Sequence, residues 1–426
     1  MFRQIVNTFF TKILSGVFNL VIAIIISNYL GAEGKGVQGL IITTIAFVII
    51  FAGVIGPGGL TYLLPRFHFS LLVVPAYFWS VIMVIGLSVF LTFSQAIPLD
   101  YHFHVVILSL ILSFTGINNA ILHANKKIHQ VNYVNITQIF TTLIVIVYLI
   151  IFQKKLSIDS YITALYFGYS LSAILSYIFT FSDYKKTKYS FPFYKYLIGV
   201  KKHLKFGSFN QLDILAQVLS FRLAYYFLNH FVSVADVGIY SNAVSLVESV
   251  WILSRSIAYV QHSRIVNSRD KKYTIDLTLK FIKLTGILAL CAILVLIFIP
   301  SGVYQFIFGN EFINMQAIIQ SLSPGILFFS ISFIISAYFS GTGKHHINSI
   351  SSIVGVIVII LLSLFLIPEY GVIGAGVAAS LSYFSTTMVK LISFCSIGKI
   401  PLRKFLLTKT DVKEVKSIFK NEIKGL

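Results

Sequence analysis

Polar residues along this chain come in short clusters, separated by apolar runs of about 20 residues. That is the length that crosses roughly 30 Å of hydrocarbon at 1.5 Å per residue. A window of about 19 residues predicts twelve membrane-spanning helices, at 5–30, 37–63, 71–95, 103–124, 131–152, 160–182, 206–231, 237–261, 279–299, 316–340, 346–367 and 371–396. The first run is too long for the apolar region of a secretory signal and no small-residue cleavage site follows it, so it is expected to stay as a span. Gly53, Gly56, Gly58 and Gly59 around Pro57 predict a bend late in the second span. Composition agrees with the pattern: 57% of the 426 residues are hydrophobic and 11% charged, which excludes a soluble globular domain of any size. Cys291 and Cys395 both fall inside spans and are expected to act as small apolar residues.

The net charge of +19 becomes informative once placed on this map. If both termini share one side, that side receives Arg3, Arg66, Lys126, Lys127, Lys344, seven lysines between 185 and 205, six bases between 264 and 283 and eight from Lys399 onward, 26 of the 33 Lys and Arg. The opposite loops hold Lys35, Lys154 and Lys155. The positive-inside rule therefore puts both termini in the cytoplasm. Bases in short loops beside helix ends face anionic membrane lipid rather than nucleic acid. In the tail from Thr410, Val412, Val415, Ile418, Phe419 and Ile423 recur at helical spacing among lysines, which fits either a helix lying on the cytoplasmic surface or a solvated charged tail.

The basic connection 183–205 divides the chain into an N-terminal lobe of six helices (1–182) and a C-terminal lobe of six (206–396), followed by a basic cytoplasmic tail (397–426). The lobes resemble each other. NYLGAEGKGVQG (28–39) and NHFVSVADVGIYS (229–241) each join the first two spans of a lobe, with Gly36 and Gly238 opening the second span and Arg66 and Arg264 closing it. Both lobes start at the cytoplasm, so the repeat is parallel. That is the arrangement of a transporter whose halves rock around a central cavity.

Polar stripes on spanning helices must face protein or a wet cavity, because lipid offers them no partner. In NAVSLVESVWILSRSIAY (242–259), Asn242, Ser245, Glu248, Arg255 and Tyr259 recur at three-or-four spacing, and Glu248 and Arg255 stand about 10 Å apart along one face. The first span carries Thr8, Thr11, Lys12, Ser15 and Asn19, the seventh Asn210, Asp213 and Gln217. Arg222 lies nine residues beyond Asp213, on the opposite side of an unbroken helix. With Lys390 in the twelfth span, and with Lys280 and Lys283 counted to the cytoplasmic side at the polar entry of the ninth, four bases and two acids lie within the membrane. Each costs roughly 2.5–3.5 kcal/mol to insert. Three roles stand open for them: ion pairs locking helices together, a polar pathway for a charged substrate or coupling ion, and snorkelling to the interface, the last chiefly for Lys12 and Lys390.

Several segments together resemble one family. PEYGVIGAGVAASLSY (368–383) is similar to the start of the last span in the oligosaccharide flippases, the Wzx type, of the multidrug/oligosaccharidyl-lipid/polysaccharide (MOP) superfamily. FGNEFINMQAIIQSLSPGILFFSISFIISAYFSGTGK (308–344), ISNYLGAEGKG (26–36) and VGIYSNAVSLVE (237–248) resemble other segments of those proteins in the same order. The resemblance implies an all-α, MATE-like fold of twelve helices in two lobes around a central cavity. It further implies a bacterial plasma-membrane protein that moves an undecaprenyl-pyrophosphate-linked oligosaccharide to the outer leaflet for O-antigen, capsule or a similar polymer, beside a polymerase and a ligase. On that reading Arg222, Arg255, Lys12 and Lys390 attract pyrophosphate and acidic sugars, a guanidinium being able to hold two phosphate oxygens. Gln217, Tyr240, Asn242 and Tyr259 contact sugar hydroxyls. Asp213 and Glu248 balance the charge or bind a coupling H⁺ or Na⁺; no other cofactor or metal is implied.

A cation-coupled multidrug exporter or a peptidoglycan-precursor flippase of the same superfamily stays open beside this. An exporter of organic cations favours acids over the four bases counted here, and the precursor flippases commonly have more than twelve spans. A membrane polymerase or ligase is a further alternative, but the external loops are short and Asp100, Asp236, Glu311 and Glu369 fall one to a loop. GTGK (341–344) lacks the flanking residues of a phosphate-binding loop and reads as a turn.

Overall fold

A computed structural model describes residues 2–94, 99–153, 157–185, 187, 191–268 and 270–405. The tail from Thr410 and the loop bases Lys154 and Lys155 lie outside these residues, as do the side chains of Thr8 and Asn210. The described chain is helical: α1 (Phe2–Ala52), α2 (Pro57–Leu63), α3 (Phe69–Ser94), α4 (His102–Ala124), α5 (Ile128–Gln153), α6 (Ile158–Lys185), α7 (Phe193–Phe231), α8 (Val234–Glu248), α9 (Trp251–Val266), α10 (Lys271–Phe298), α11 (Ser301–Phe308), α12 (Met315–Gly341) and α13 (His345–Gly398). Among the described residues eight helical stretches are long and apolar enough to cross a membrane, or nine if the bent pair α8–α9 counts as one span. α5 and α10 leave Ile144, Ile151, Phe152, Val295 and Phe298 exposed, as helices solvated by lipid do.

Two of the boundaries expected between helices fall at glycine kinks. The first two expected spans run together in α1, which turns at Gly31 (φ 67°, ψ −168°), and the last two in α13, which turns at Gly371 (φ 56°, ψ −130°). Both conformations lie in a region essentially restricted to glycine, so a direction change is made inside a helix rather than in a polar loop. The bend expected around Pro57 is present as a 3₁₀ turn at Gly53–Ile55 followed by the short α2. The expected eighth span is broken instead of continuous: α8 and α9 meet at 42°. α10 starts at Lys271 because Asp270 caps it, its carboxylate accepting from the amides of Lys272 and Tyr273.

The helices gather into two compact units, one of Met1–Asn242 with Gly302–Asn314 and one of Ala243–Ser301 with Met315–Leu426. In the first, Leu60 and Leu63 of α2, Leu72 and Ala76 of α3, and Ile117 and Ile121 of α4 form a buried core. In the second, Ile265, Ile282, Ile334, Tyr338, Phe339 and Phe394 bring α9, α10, α12 and α13 together. α12 ends at Gly341 and α13 begins at His345, with Gly343 at φ 77° between them, so GTGK is the tight turn its sequence indicated.

Candidate functional site

In the first unit the glycines that open the paired spans meet each other's helices. A Cβ on Gly36 would collide with the Val234 carbonyl oxygen, and one on Gly238 with the Ala32 carbonyl oxygen. The second limb of α1 and the start of α8 therefore cross at backbone contact. This crossing decides where two candidates lie. Tyr240 is fully buried, its ring edge-on to Tyr225 at 5.7 Å. Asn242, 1% exposed, donates from Nδ2 to Ser27 Oγ at 2.7 Å, and Ser27 in turn donates to the Ala23 carbonyl. Both tie α8 to neighbouring helices. The Asn242 Oδ1 is buried with no described partner.

On α7, Asp213, Gln217 and Arg222 are half-buried. α7 runs unbroken from Phe193 to Phe231, so Asp213 and Arg222 keep opposite sides, and no break brings them onto one stripe. The Arg222 guanidinium lies 5.6 Å from the Tyr225 ring, the ring whose edge meets Tyr240. Lys12 is exposed on the first limb of α1.

The second unit holds the other candidates. Glu248 closes α8 and Arg255 lies one turn into α9, so the 42° bend falls between them. The face expected to carry both is therefore bent between them. Arg255 instead lies on aromatic faces, its guanidinium 4.9 Å from the Phe333 ring and 5.8 Å from the Trp251 ring. Trp251 belongs to a packed group with Phe329, Phe333 and Tyr383, with ring centroids 5.0 to 5.6 Å from it. Its indole N–H donates to the Ile326 carbonyl. A weakly hydrated guanidinium over such rings gains a cation–π attraction, which supplies one physical answer to how this segment tolerates its charge.

Lys390 approaches the same group from within. It is 1% exposed and donates to Ser336 Oγ at 2.7 Å and Ser332 Oγ at 3.1 Å, with its ammonium 5.7 Å from the Phe329 ring. Of the three roles left open for this lysine, snorkelling does not fit that burial: the side chain points into the α12–α13 seam. Tyr259 is 64% exposed and stands apart from the ring group.

Three buried polar residues escaped the sequence. Lys35, expected in an external loop, is 4% exposed and donates to Gln38 Oε1 at 2.6 Å; Gln38 Nε2 reaches the Tyr161 hydroxyl at 3.2 Å. Gln211 of α7 donates to the Ile50 carbonyl at 2.9 Å, a backbone acceptor released where α1 ends before Pro57. His203, fully buried, bonds through Nε2 to the Leu72 carbonyl at 3.2 Å, and its Nδ1 sits 2.7 Å from where a Cβ on Gly59 would be. Burial pushes its pKa down to about 4. The glycines around Pro57 were the readable half of this arrangement; the polar side chains that fill the space had no pattern of their own. Among the described residues, no group of three or more His, Cys, Asp or Glu is placed to hold a metal ion.

No family model matches the chain. A "Capsular polysaccharide biosynthesis protein CapF" from Staphylococcus aureus is 26% identical over 160 residues, 37% of this chain and 39% of that protein; the match spans about two fifths of that relative's length. Among solved structures, the lipid II flippase MurJ in an inward closed conformation superposes with a TM-score of 0.74 at 16% identity, over 100% of this chain and 93% of that one. An inward-facing multidrug resistance MATE family transporter of the MOP superfamily gives 0.68 at 14%, over 90% and 94%. A MOP superfamily transporter from Pyrococcus furiosus, described as having a binding pocket of reverse polarity, gives 0.58 at 14%, over 93% and 95%. The chain is thus a multi-pass, all-helical membrane protein with the fold shared by MurJ and MATE transporters.

Proposed function

We propose that the protein is a flippase of the MOP type that moves undecaprenyl-pyrophosphate-linked oligosaccharide repeat units across the bacterial plasma membrane for a surface polysaccharide. Alternating access of two six-helix lobes, with both termini cytoplasmic, is the mechanism we infer. Twelve crossings follow if α1 with α2, and α13, each cross twice at their glycine turns, α8 and α9 form one span, and α7 also crosses. The observation that carries the substrate class is the cation Arg255, lying exposed on the Trp251–Phe333 rings. Such a group binds phosphate oxygens in a bidentate manner and supplies aromatic surface on which sugar rings pack. Arg222 and Lys12, both in the first unit, are assigned the same attraction for anionic groups, while Asp213 and Glu248 are assigned to charge balance or to a coupling H⁺ or Na⁺. Gln217 and Tyr259 are the candidates left for sugar contact; Tyr240 and Asn242 would reach a sugar only after α8 leaves its neighbours. The capsule-related relative is in keeping with this substrate class.

The second reading, a flippase for the peptidoglycan precursor, is favoured by the likeness to the lipid II flippase MurJ. One experiment separates them. The gene is deleted in its host, lipid-linked intermediates are extracted, and their leaflet is read with an impermeant label. Complete repeat units trapped in the cytoplasmic leaflet, rescued by the wild-type protein and not by an inserted Arg255→Ala variant, support the proposal. Trapped peptidoglycan precursor supports the second reading, and units that cross normally overturn both.

A further inference from the structure

Two segments of the first unit, 62–68 and 191–204, carry Arg66, Lys195, Lys201 and Lys202 and contain no acidic residue. Among the described residues, Arg66, Lys195 and Lys202 have no carboxylate within 4 Å. Their charges are met by rings instead. The Arg66 guanidinium lies 3.8 Å over the Tyr62 ring and donates to the Tyr62 carbonyl at 2.6 Å. The Lys202 ammonium lies 3.0 Å over the ring of Phe67, the residue next to Arg66, and that of Lys195 lies 5.4 Å over Phe191. A cation on a ring keeps most of its field directed outward, because the ring has no net charge to cancel it.

The helix that bears the lysines has a defined outer face. A Cβ on Gly199 would collide with the Leu71 carbonyl, and His203, one turn on, is fully buried, so that side of α7 is pressed onto α3. The opposite side shows Tyr194, Leu197, Ile198 and Leu204, each 42–60% exposed. At 39 residues, α7 is about 58 Å long, beyond the roughly 40–45 Å of a bilayer with its headgroups. On the proposed reading in which α7 crosses with its stretch 206–231, its first turns lie within or past the headgroup layer. Exposed apolar residues, aromatic rings and uncompensated bases side by side are the chemistry of that layer.

We propose that Arg66 and Lys202, seated on Tyr62 and Phe67, form a binding site for an anionic phospholipid, its phosphate between the two cations and its acyl chains along the apolar side of α7. Independent of what the protein transports, the site fixes the level of the α2–α3 turn and the start of α7 in one leaflet.

The test uses the full-length protein in detergent, with retained phosphatidylglycerol and phosphatidylcholine measured by native mass spectrometry during titration. The Arg66→Gln/Lys202→Gln variant is expected to bind phosphatidylglycerol about tenfold more weakly, with phosphatidylcholine unchanged. Arg66→Lys/Lys202→Arg, which keeps both charges, is expected to retain binding and shows that the site tolerates substitution. Lys271→Gln/Lys272→Gln at the exposed start of α10 makes the same charge change elsewhere and is expected to have no effect. Equal loss in both neutral variants means diffuse electrostatics and overturns the site, as does no loss in either. Competition by millimolar inorganic phosphate as strong as by the lipid would overturn the assignment to a phospholipid.

Discussion

The helices α1 and α13 solve one problem in two ways. Each runs for more than 50 residues and turns at a glycine with positive φ. At Gly31 the turn is fastened: the Glu311 carboxylate accepts from the Ala32 amide, and Asn28 donates to the Ile307 carbonyl at 2.7 Å. Farther along, where α1 gives way to the 3₁₀ turn and α2, Gln211 and His203 fill the space beside Gly53 and Gly59. At Gly371, among the described residues, no other segment comes within 4 Å of where a side chain would begin, and the contact beside the turn is made within α13, Gly374 lying against the Leu366 carbonyl. The backbone conformation of a turn is thus set by glycine, but its rigidity is set by whether another segment supplies partners for the freed amides and carbonyls. Tight and loose turns are indistinguishable in sequence.

Three measurements sharpen this contrast, each read by thermal unfolding of the purified protein. The largest effect is expected from pH. His203 has a pKa near 4 in the fold against 6.5 when exposed, so between these values the unfolded state binds more protons. Its contribution is full above pH 6.5 and lost as pH falls toward 4, on the order of 3 kcal/mol. A His203→Gln variant should lose that part of the acid sensitivity; an unchanged acid limb would show that the ring does not fasten α2 and α3 to α7. Next come the glycines. Gly31→Ala is expected to cost about 2.5 kcal/mol, backbone strain plus a displaced Glu311, while Gly371→Ala carries the strain alone, about 1.5 kcal/mol. Equal losses would mean that the fastening at Gly31 adds nothing. The smallest effect, about 1 kcal/mol, is expected from Glu311→Gln, an exposed carboxylate capping one amide. Its cost should largely vanish in the Gly31→Ala background, because the two changes remove the same contact.

Much of the fold was legible because lipid imposes one rule on every spanning segment. Apolar length located the helices, Pro57 with its glycines located a break, and Gly36 and Gly238 stood out as paired positions. The direct contact of their two helices was not readable, since sequence spacing carries no distance between segments two hundred residues apart. Lys35 read as a loop base because GAEGKG has loop composition, yet the turn closes at Gly31 and helix resumes before the lysine. Lys390 was open to snorkelling because its distance from the helix end allowed it; the bonds to Ser332 and Ser336, on another helix, are what the sequence could not show. For Arg255 the spacing to Trp251 was visible in sequence, whereas Phe333 had to come from α12. The bend at Ser249–Val250 had no proline or glycine to announce it.

The crossing of α1 and α8 has a mechanical consequence. Most helix contacts yield by re-sorting side-chain rotamers, but where Gly36 faces the Val234 carbonyl and Gly238 the Ala32 carbonyl there is no rotamer to re-sort. Two rods that touch main chain to main chain can pivot about the point of contact far more readily than they can slide past it. That crossing is the natural axle of the first unit, and displacement in this part of the bundle should grow with distance from it.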